Sequence, residues 1–300
     1  MAGPSSKFKF SKINWDARSD FVLVTQDGYE IVHGVGFTDQ MTGPNMAVHV
    51  ADKLDSERKN TSFTGKLLCN RRGDFFALSA SVSCDLGLKK PKVVGQANAK
   101  NAVVINRLLV NSDVVRLAGF QSAAFYHCQP TLYHQYAENR TALTNNQPHL
   151  TWNFRNSIYT HVTFNFGPQT VCAEHTNFGN QADGPCAITA LSPSVGGYDY
   201  KKGGHLILWD LRLVIEFPPS ATILILSAVL HHSNVAIGAN KRWFSFTQYT
   251  PGSLFRWVEH GHQLELEFWA SLMQDQAKAE RAKDKAQWKS ALVNFTRHAL

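Results

Sequence analysis

The chain has 300 residues, 44% of them hydrophobic, so it can bury a sizeable core as one large domain or two small ones. Its N-terminus lacks the apolar segment of a secretory signal, and its longest apolar run, 221–230, is far shorter than a bilayer span. We therefore expect a soluble protein of the cell interior. None of the five cysteines forms a C-x-x-C pair, which argues against a disulfide framework and a structural zinc site. The formal net charge of +7 is compatible with binding to a polyanion but does not require it.

The first hundred residues are predicted to form strands and loops. Residues 1–20 are a basic stretch that fits either an edge strand or an arm contacting phosphate. Two runs of β-branched and aromatic residues, 21–25 and 29–32, flank Asp27-Gly28 and predict a β-hairpin. A short helix is predicted at 46–55 and a further strand at 75–83. Pro, Gly and Lys residues predict a surface loop at 89–100.

The rest of the chain has helices first and strands after. Apolar residues recur at three- and four-residue spacings over 101–145, which predicts a helical layer interrupted at Pro130. Over 150–260, short runs rich in Val, Ile, Thr and aromatic residues alternate with Gly and Pro, which is typical of an antiparallel sandwich or barrel. A long C-terminal helix is predicted over 263–300; its basic face is either solvated or follows phosphates. The expected fold class is α+β, a single domain over 1–300 in which a β/loop region (1–100) and the helical layer precede a jelly-roll core.

Four residues follow one another in the order of an iron/2-oxoglutarate oxygenase, His-x-Asp…His…Arg: His175, Asn177, His232 and Arg242. Such a site holds iron through two histidines and one carboxylate on a single face. A cation then pairs with the distal carboxylate of 2-oxoglutarate, and the planar fork of arginine suits this contact. The pattern alone is weak, because a chain with 13 histidines produces accidental matches.

The sequence around these residues is more specific. Five of the motifs that occur in order are Thr163-Phe164-Asn165-Phe166-Gly167-Pro168, Glu174-His175-Thr176-Asn177-Phe178-Gly179-Asn180, Lys202-Gly203-Gly204-His205-Leu206, Leu230-His231-His232-Ser233-Asn234 and Ser245-Phe246-Thr247-Gln248-Tyr249. In these motifs the chain resembles the TET/JBP-type dioxygenases of basidiomycete fungi, a group often associated with transposons. The resemblance runs from about 116 to 261, and more loosely from 73. It implies a double-stranded β-helix, Fe(II) and 2-oxoglutarate as cofactors, and oxidation of 5-methylcytosine in DNA; some related enzymes act on N6-methyladenine.

The resemblance also implies which residues hold the metal. His175 and His232 would be iron ligands, with Asn177 at the third position. His231 is the less favoured alternative to His232. Asn180 corresponds to an asparagine three residues beyond the carboxylate ligand, and we expect it to be a catalytic hydrogen-bonding residue.

Four further residues are expected at the co-substrate. Asn165 and Ser245 would lie beside 2-oxoglutarate, and Arg242 would pair with its carboxylate, with Arg256 as a second candidate. The methylated base would have to be flipped out of the DNA duplex to reach the metal. Candidate phosphate contacts are the C-terminal helix, Lys201-Lys202 and Lys89-Lys90-Pro91-Lys92. We expect a monomer that acts in the nucleus, with no membrane partner.

Two positions depart from the family pattern. Asn177 stands where the pattern has aspartate, and a neutral amide is a weaker ligand for divalent iron than a carboxylate. Trp243 stands where the family arginine is expected, so Arg242 reaches the pocket only if a bulge shifts the strand register. The nearby carboxylates Glu174 and Asp183 have the wrong spacing. Three hypotheses therefore stay open: an active DNA base oxygenase, a catalytically degenerate DNA-binding relative, and a jelly roll without enzymatic function.

Overall fold

The computed structural model describes residues 9–36, 43–63, 72–84 and 87–298. Cys69 and the first eight residues of the predicted basic arm lie outside this part. The strands, numbered in chain order, are β1 Ser11–Ile13, β2 Phe21–Val24, β3 Glu30–Val35, β4 Ala77–Ser83, β5 Lys92–Val94, β6 His161–Asn165, β7 Cys186–Leu191, β8 Leu206–Leu208, β9 Leu213–Ile215, β10 Thr222–Ile225, β11 His232–Asn234 and β12 Phe244–Tyr249. The α-helices are α1 Gly43–Arg58, α2 Ala99–Leu109, α3 Ser112–Cys128, α4 Pro130–Asn146, α5 Gly252–Glu259, α6 Glu265–Ser271 and α7 Gln274–Ala291.

The strands form two sheets. The large sheet has eight strands in the order β2-β3-β10-β7-β12-β6-β4-β5, and the small sheet has four in the order β1-β9-β8-β11. Each hydrogen-bonded pair is antiparallel except β1 with β9. The mixed α/β composition with large antiparallel sheets agrees with the predicted class.

Helices and the small sheet cover opposite faces of the large sheet. Successive residues of a strand point to opposite sides, and β10 shows both environments. Ile223 and Ile225 pack with Ile215 of the small sheet, whereas Leu224 packs with Phe125 of α3. The molecule is therefore built in three layers: helices, large sheet and small sheet.

The predicted helical layer over 101–145 is made of α2, α3 and α4. Asn98 and Asn111 cap α2 and α3, because each side-chain oxygen accepts hydrogen bonds from two backbone N–H groups of the first turn. Pro130 begins α4, where a missing N–H costs nothing. Leu108 and Phe246 are fully buried between the layer and the large sheet, and each contributes about 1.5–3 kcal/mol by burial.

A buried polar network ties this layer to the strand that carries the site. Gln248 of β12 donates from Nε2 to Gln121 Oε1 of α3 at 2.9 Å, and its own Oε1 accepts from Ser157 Oγ at 2.8 Å. Gln121 in turn donates to Thr189 Oγ1 of β7 at 2.8 Å. A satisfied network of buried amides specifies one arrangement of α3, β7 and β12.

Three predicted elements near the N-terminus are confirmed, among them the strand at 75–83, which is β4, and one is wrong in part. The hairpin is β2–β3, with Gly28 at φ 85° in its turn, and the short helix is α1, which extends beyond the predicted range. The predicted loop at 89–100, however, contains β5, which pairs with β4 at the edge of the large sheet. Lysines and a proline are typical of edge strands as well as loops, so composition alone could not separate the two.

The prediction of one long C-terminal helix is also wrong. Helices α6 and α7 are separate because Leu272 and Met273 adopt extended backbone conformations between them. Gln276 accepts a hydrogen bond on its side chain from Met273 N at 2.9 Å, which satisfies a donor that a helix start leaves open. A short 3-10 turn, Leu292–Asn294, follows α7. Across the described residues, no helix combines the length and the apolar character needed to cross a membrane.

Candidate active site

The structure brings the two predicted metal-binding histidines together. His175 and His232 face each other across an isolated antiparallel bridge at the start of β11. Their backbones exchange two hydrogen bonds, His175 N to His232 O at 3.1 Å and the reverse at 3.0 Å. The two ring centroids are 4.3 Å apart, and both side chains are buried. Residues 57 positions apart in the sequence thus form one compact pair, as predicted.

Both imidazoles are oriented for coordination by the same local contact. His175 Nδ1 lies 2.8 Å from Ala173 O, and His232 Nδ1 lies 2.9 Å from Leu230 O. A carbonyl oxygen only accepts, so Nδ1 carries the proton in each ring and Nε2 keeps its lone pair. Burial, with a further contribution from His175, lowers the pKa of His232 to about 4, so this ring is neutral at pH 7. His231, by contrast, is exposed and contacts Asp210.

Asn177 lines the same cavity as the two histidines. The backbone N–H of Asn177 donates to Ser227 O at 2.8 Å, and its backbone carbonyl accepts from Asn180 N at 2.8 Å. Asn180, the predicted catalytic residue, is held in the same turn by a 3.0 Å bond from Nδ2 to Ser227 Oγ. Glu174 is exposed, and Asp183 lines a different groove between α4, α5 and α7.

The side chains around the histidine pair fit iron only in part. In the part of the chain that the structure describes, no three His, Cys, Asp or Glu side chains cluster closely enough to hold a metal ion. Two imidazoles that carry a proton on Nδ1 present Nε2 as the donor atom, which suits a divalent transition metal. The third donor that this site offers is the neutral amide oxygen of Asn177. The residues therefore fit iron at two ligand positions, and the third lacks the charge of a carboxylate.

The histidine pair lies in a small inner cavity that adjoins a much larger outer cleft. The inner cavity has a volume of about 40 Å³, and the outer cleft one of about 900 Å³. Arg72, Asn177 and Thr247 line both compartments. A ligand in the outer cleft and a ligand beside the histidines could therefore both contact these three residues.

Two predicted co-substrate residues lie in the inner cavity. Asn165 of β6 and Ser245 of β12 are paired across the large sheet, and Asn165 Nδ2 donates to Ser245 Oγ at 2.8 Å. Both side chains are buried. Asn165 Oδ1 is buried without a hydrogen-bond partner, as is Nε1 of Trp243, which lines the same cavity. Unpaired buried polar atoms are rare away from functional sites.

The two predicted arginines line neither compartment. Trp243, Ser245 and Thr247 alternate onto the cavity side of β12. Arg242 lies on the other side, over the Phe244 ring at 5.8 Å, in an ion pair with Asp55 of α1. β12 pairs with its neighbours without a register shift from Phe244 onward, and Arg242 before it forms an isolated bridge with Gly197.

Arg256 is exposed on α5. The positions of Arg242 and Arg256 therefore do not support the predicted contact with 2-oxoglutarate.

Arg72 is the arginine that lines both compartments, and the sequence pattern missed it. Its carbonyl accepts from Ala173 N at 2.6 Å, which holds it beside the segment leading to His175. Gly73 makes this approach possible, since a Cβ there would lie 2.4 Å from Val171 O. Gly73, just before the strand predicted at 75–83, was the one local signal that another backbone segment lies close by.

The outer cleft carries aromatic and basic side chains. The rings of His161 and Tyr249 are stacked at 4.6 Å with an interplanar angle of 19°. Phe178, next to Asn177, is 76% exposed at the cleft. Of the candidate phosphate contacts, Lys92 lines the cleft, whereas Lys201-Lys202 do not and α7 lines the separate groove with α4 and α5.

Comparison with known proteins supports the fold. No family model and no curated protein matches the sequence. Among solved structures, the chain is similar to NgTET1 in complex with 5mC DNA, with 11% identity, a TM-score of 0.51, and coverage of 82% of this chain and 84% of that one. It also aligns with an oxidoreductase of the 2OG-Fe(II) oxygenase family from Burkholderia pseudomallei, at 12% identity over 70% of this chain and 92% of that one. The TM-score of 0.34 in the second case does not establish a common fold. The chain thus shares a TET-like fold, and its placement in the fungal group stays a prediction.

Proposed function

We propose that this chain is an Fe(II)- and 2-oxoglutarate-dependent dioxygenase that oxidises a methylated base in DNA, with 5-methylcytosine as the substrate. The observation that carries this proposal is the buried pair His175 and His232, each with Nδ1 held by a backbone carbonyl, in a cavity that adjoins a large cleft. The TET-like fold supports it. In this proposal the two sheets form a double-stranded β-helix around the pair.

The inner cavity would hold the reacting centre. His175 and His232 would bind iron through Nε2, and Asn177 would offer its amide oxygen. Bound iron would supply dioxygen chemistry in which 2-oxoglutarate is converted to succinate and carbon dioxide while one oxygen atom enters the methyl group. Asn180 and Ser227 fix the turn that carries Asn177, so they would set the direction of this third donor.

The outer cleft would receive the flipped base. Its volume of about 900 Å³ is in the range of ligand-binding clefts, whereas about 40 Å³ in the inner cavity holds only a few non-hydrogen atoms. A flipped base is commonly held by stacking on aromatic side chains. The His161–Tyr249 stack and the exposed Phe178 provide such surfaces on the wall of the cleft.

Contacts to the DNA backbone would come from the edge of the large sheet. Lys92 lines the cleft, and Lys89 and Lys90 are exposed just before it. Lysines at this place can neutralise phosphates on either side of a flipped nucleotide. In this proposal the protein acts as a monomer in the nucleus.

Asn177 favours a second candidate function, a degenerate relative that binds DNA without turnover. The amide brings no negative charge to the metal, so the site should bind Fe(II) more weakly than a site with two histidines and a carboxylate. The backbone N–H and carbonyl of Asn177 make ordinary turn hydrogen bonds. Aspartate at this position would therefore need no change of the backbone.

One experiment separates these candidates. The chain and its Asn177→Asp variant are incubated with Fe(II), 2-oxoglutarate and duplex DNA carrying either 5-methylcytosine or N6-methyladenine, and the oxidised bases are measured by mass spectrometry. Oxidised 5-methylcytosine from the natural chain supports the main proposal. Oxidised base from the variant alone supports the degenerate relative, and oxidised adenine alone redirects the substrate to N6-methyladenine. No product from either chain on either DNA would contradict the proposed reaction.

A further inference from the structure

We propose that the outward face of α7 is a second contact surface for the phosphate backbone of duplex DNA, separate from the outer cleft. Four basic side chains form this surface, which we call the basic stripe: Lys278, Arg281, Lys285 and Lys289. It rests on the function proposed above, which supplies DNA as the partner. The sequence left open whether this helix is solvated or follows phosphates, and the placement of its side chains favours the phosphates.

The four cations of the basic stripe share one face of the helix. They are three or four residues apart, and an α-helix turns by about 100° per residue, so they lie within about 80° of one another around the helix axis. With a rise of about 1.5 Å per residue, the stripe is about 16 Å long. A row of positive charge of this length can face several phosphates, because duplex DNA carries one charge about every 1.7 Å along its axis.

The opposite face of α7 turns toward the body of the protein. Lys283, Asp284 and Gln287 line the groove between α4, α5 and α7. On this side the carboxylate of Glu280 also pairs with Lys283 at 3.0 Å. These residues lie about half a turn around the helix from the basic stripe. The stripe therefore points away from the body, and no carboxylate interrupts it along its length.

The basic stripe is exposed and keeps its charge. Each residue from 281 to 290 is exposed, and α7 has no buried residue. Among the described residues, no ion pair joins a cation of the stripe to a carboxylate. Arg281 lies over the Trp269 ring of α6 at 5.7 Å, and Lys289 lies over the Trp288 ring at 5.5 Å. A cation–π contact orients a cation without neutralising it, so the stripe offers four positive charges to an anionic partner.

A nucleic-acid backbone fits this face better than a lipid surface does. A helix that lies in a membrane interface needs a broad apolar face beside its basic one. In α7 the only large apolar side chain is Trp288, which is 64% exposed, and the side chains that line the groove are mostly polar. Phosphates of DNA are contacted through charge and hydrogen bonds and need no apolar face. The chemistry of the helix therefore selects DNA.

The groove beneath α7 and the outer cleft are neighbours. Asn180 lines the cleft, and the next residue, Gln181, lines the groove. Pro251, directly before α5, also lines the cleft, and Phe255 on the first turns of α5 lines the groove. In this arrangement one duplex contacts both surfaces, with a nucleotide in the cleft and flanking phosphates at the basic stripe.

The salt dependence of DNA binding tests this surface. The full chain without metal is titrated with labelled, unmethylated duplex DNA at several salt concentrations. The stripe variant replaces all four cations by glutamine: Lys278→Gln, Arg281→Gln, Lys285→Gln and Lys289→Gln. Each phosphate contact contributes about 0.9 to the slope of log affinity against log salt, so we expect the slope to fall by about 2 to 4 and low-salt affinity to fall at least about 10-fold.

A matched control variant removes the same number of charges elsewhere. Its four exposed cations lie outside α7 and do not line the outer cleft: Lys100→Gln, Arg155→Gln, Lys201→Gln and Lys202→Gln. We expect its slope to change by less than about 1. Equal losses in the stripe variant and this control would overturn the proposal, because total charge rather than the stripe would then determine binding.

A second variant keeps the test decisive if the stripe variant loses the α7 helix, which circular dichroism would show. Ala282 is exposed on the side of the basic stripe. Ala282→Glu removes no side chain of the stripe and brings in a good helix former, but its carboxylate repels phosphates. We expect DNA binding to weaken several-fold. Gln287→Glu adds the same charge on the groove face and should weaken binding less; equal effects would contradict the proposal.

The remaining outcomes separate the partner and the reaction. Binding to vesicles of phosphatidylserine and phosphatidylcholine that depends on the basic stripe, with DNA binding unaffected by it, would overturn the proposal in favour of a lipid surface. An unchanged slope in the stripe variant, with methylated DNA still oxidised, rejects the α7 surface and leaves the proposed function intact. A slope that falls as expected while no base is oxidised supports the α7 surface and rejects the proposed reaction.

Discussion

The inner cavity and the outer cleft share three residues but are built from different kinds of structure. Half of the inner wall comes from paired strands, for example Asn165 of β6, Ser245 of β12 and His232 of β11, whose positions are set by strand register. The outer cleft adds the edge strand β5 and the turn at Phe178. The outer cleft therefore brings exposed segments, which can adapt to a large substrate, beside side chains that strand pairing holds in place.

If the compartments have separate roles, a change in one should leave binding in the other intact. His232→Ala should give the largest effect, because it removes one of the two proposed imidazole ligands. We expect Mn(II) affinity to fall by at least about 100-fold, more than the loss typical of an outer-sphere partner. Calorimetry of the metal-free protein measures this. DNA binding without metal should be unchanged; a parallel loss of DNA binding would show that the two compartments are not separate.

Asn177→Asp should strengthen metal binding in the inner cavity, whereas His232→Ala should weaken it. A carboxylate adds negative charge beside the histidine pair, so we expect Mn(II) affinity to rise by about 10-fold or more. The control is Asn180→Asp, which adds the same charge three residues further along the same turn. It should raise the Mn(II) affinity less. A larger gain from Asn180→Asp would mean that residue 177 does not face the metal.

Phe178→Ala should affect the outer cleft alone. Loss of one stacking surface costs about 1–3 kcal/mol per base, so we expect the affinity for methylated duplex DNA to fall by about 5- to 100-fold. Fluorescence anisotropy with labelled DNA measures this change. Val195→Ala, which truncates an equally exposed side chain away from the cleft, should have no effect. Weaker metal binding in Phe178→Ala would contradict the division of roles.

Lys92→Ala should give the smallest effect. Losing one phosphate contact reduces the slope of log affinity against log salt by about 1 and weakens DNA binding by a few-fold at moderate salt. The matched variant Lys201→Ala removes an exposed lysine that does not line the cleft and should leave the slope unchanged. Equal slopes for the two variants would show that DNA does not follow the β5 edge.

The sequence predicts some elements of this molecule better than others. The β2–β3 hairpin, α1 and the meeting of His175 with His232 follow from local patterns or from ordered motifs. The failure at β5 has a physical cause, because Lys-rich edge strands and loops share a composition. The break between α6 and α7 contains neither Gly nor Pro, so the sequence has no local signal that predicts it.

The predicted site was incomplete for a related reason. Whether Arg242 faces the pocket depends on strand register and on Asp55, a partner 187 residues away in the sequence. Arg72 belongs to no recognisable motif, and its place in the cavity depends on the tertiary contact of Gly73 with Val171. Motif spacing identifies residues that act from one strand or turn, but it cannot find a side chain delivered by a distant segment.

The most direct test of the central claim is succinate formation by the natural chain and its Asn177→Asp variant on methylated and unmethylated duplex DNA of the same sequence. We expect succinate that depends on the methyl group, accompanied by oxidised base, with a rate that rises about 10-fold or more in the variant. No methyl-dependent succinate from either protein, with both still binding Mn(II) and DNA, would contradict it.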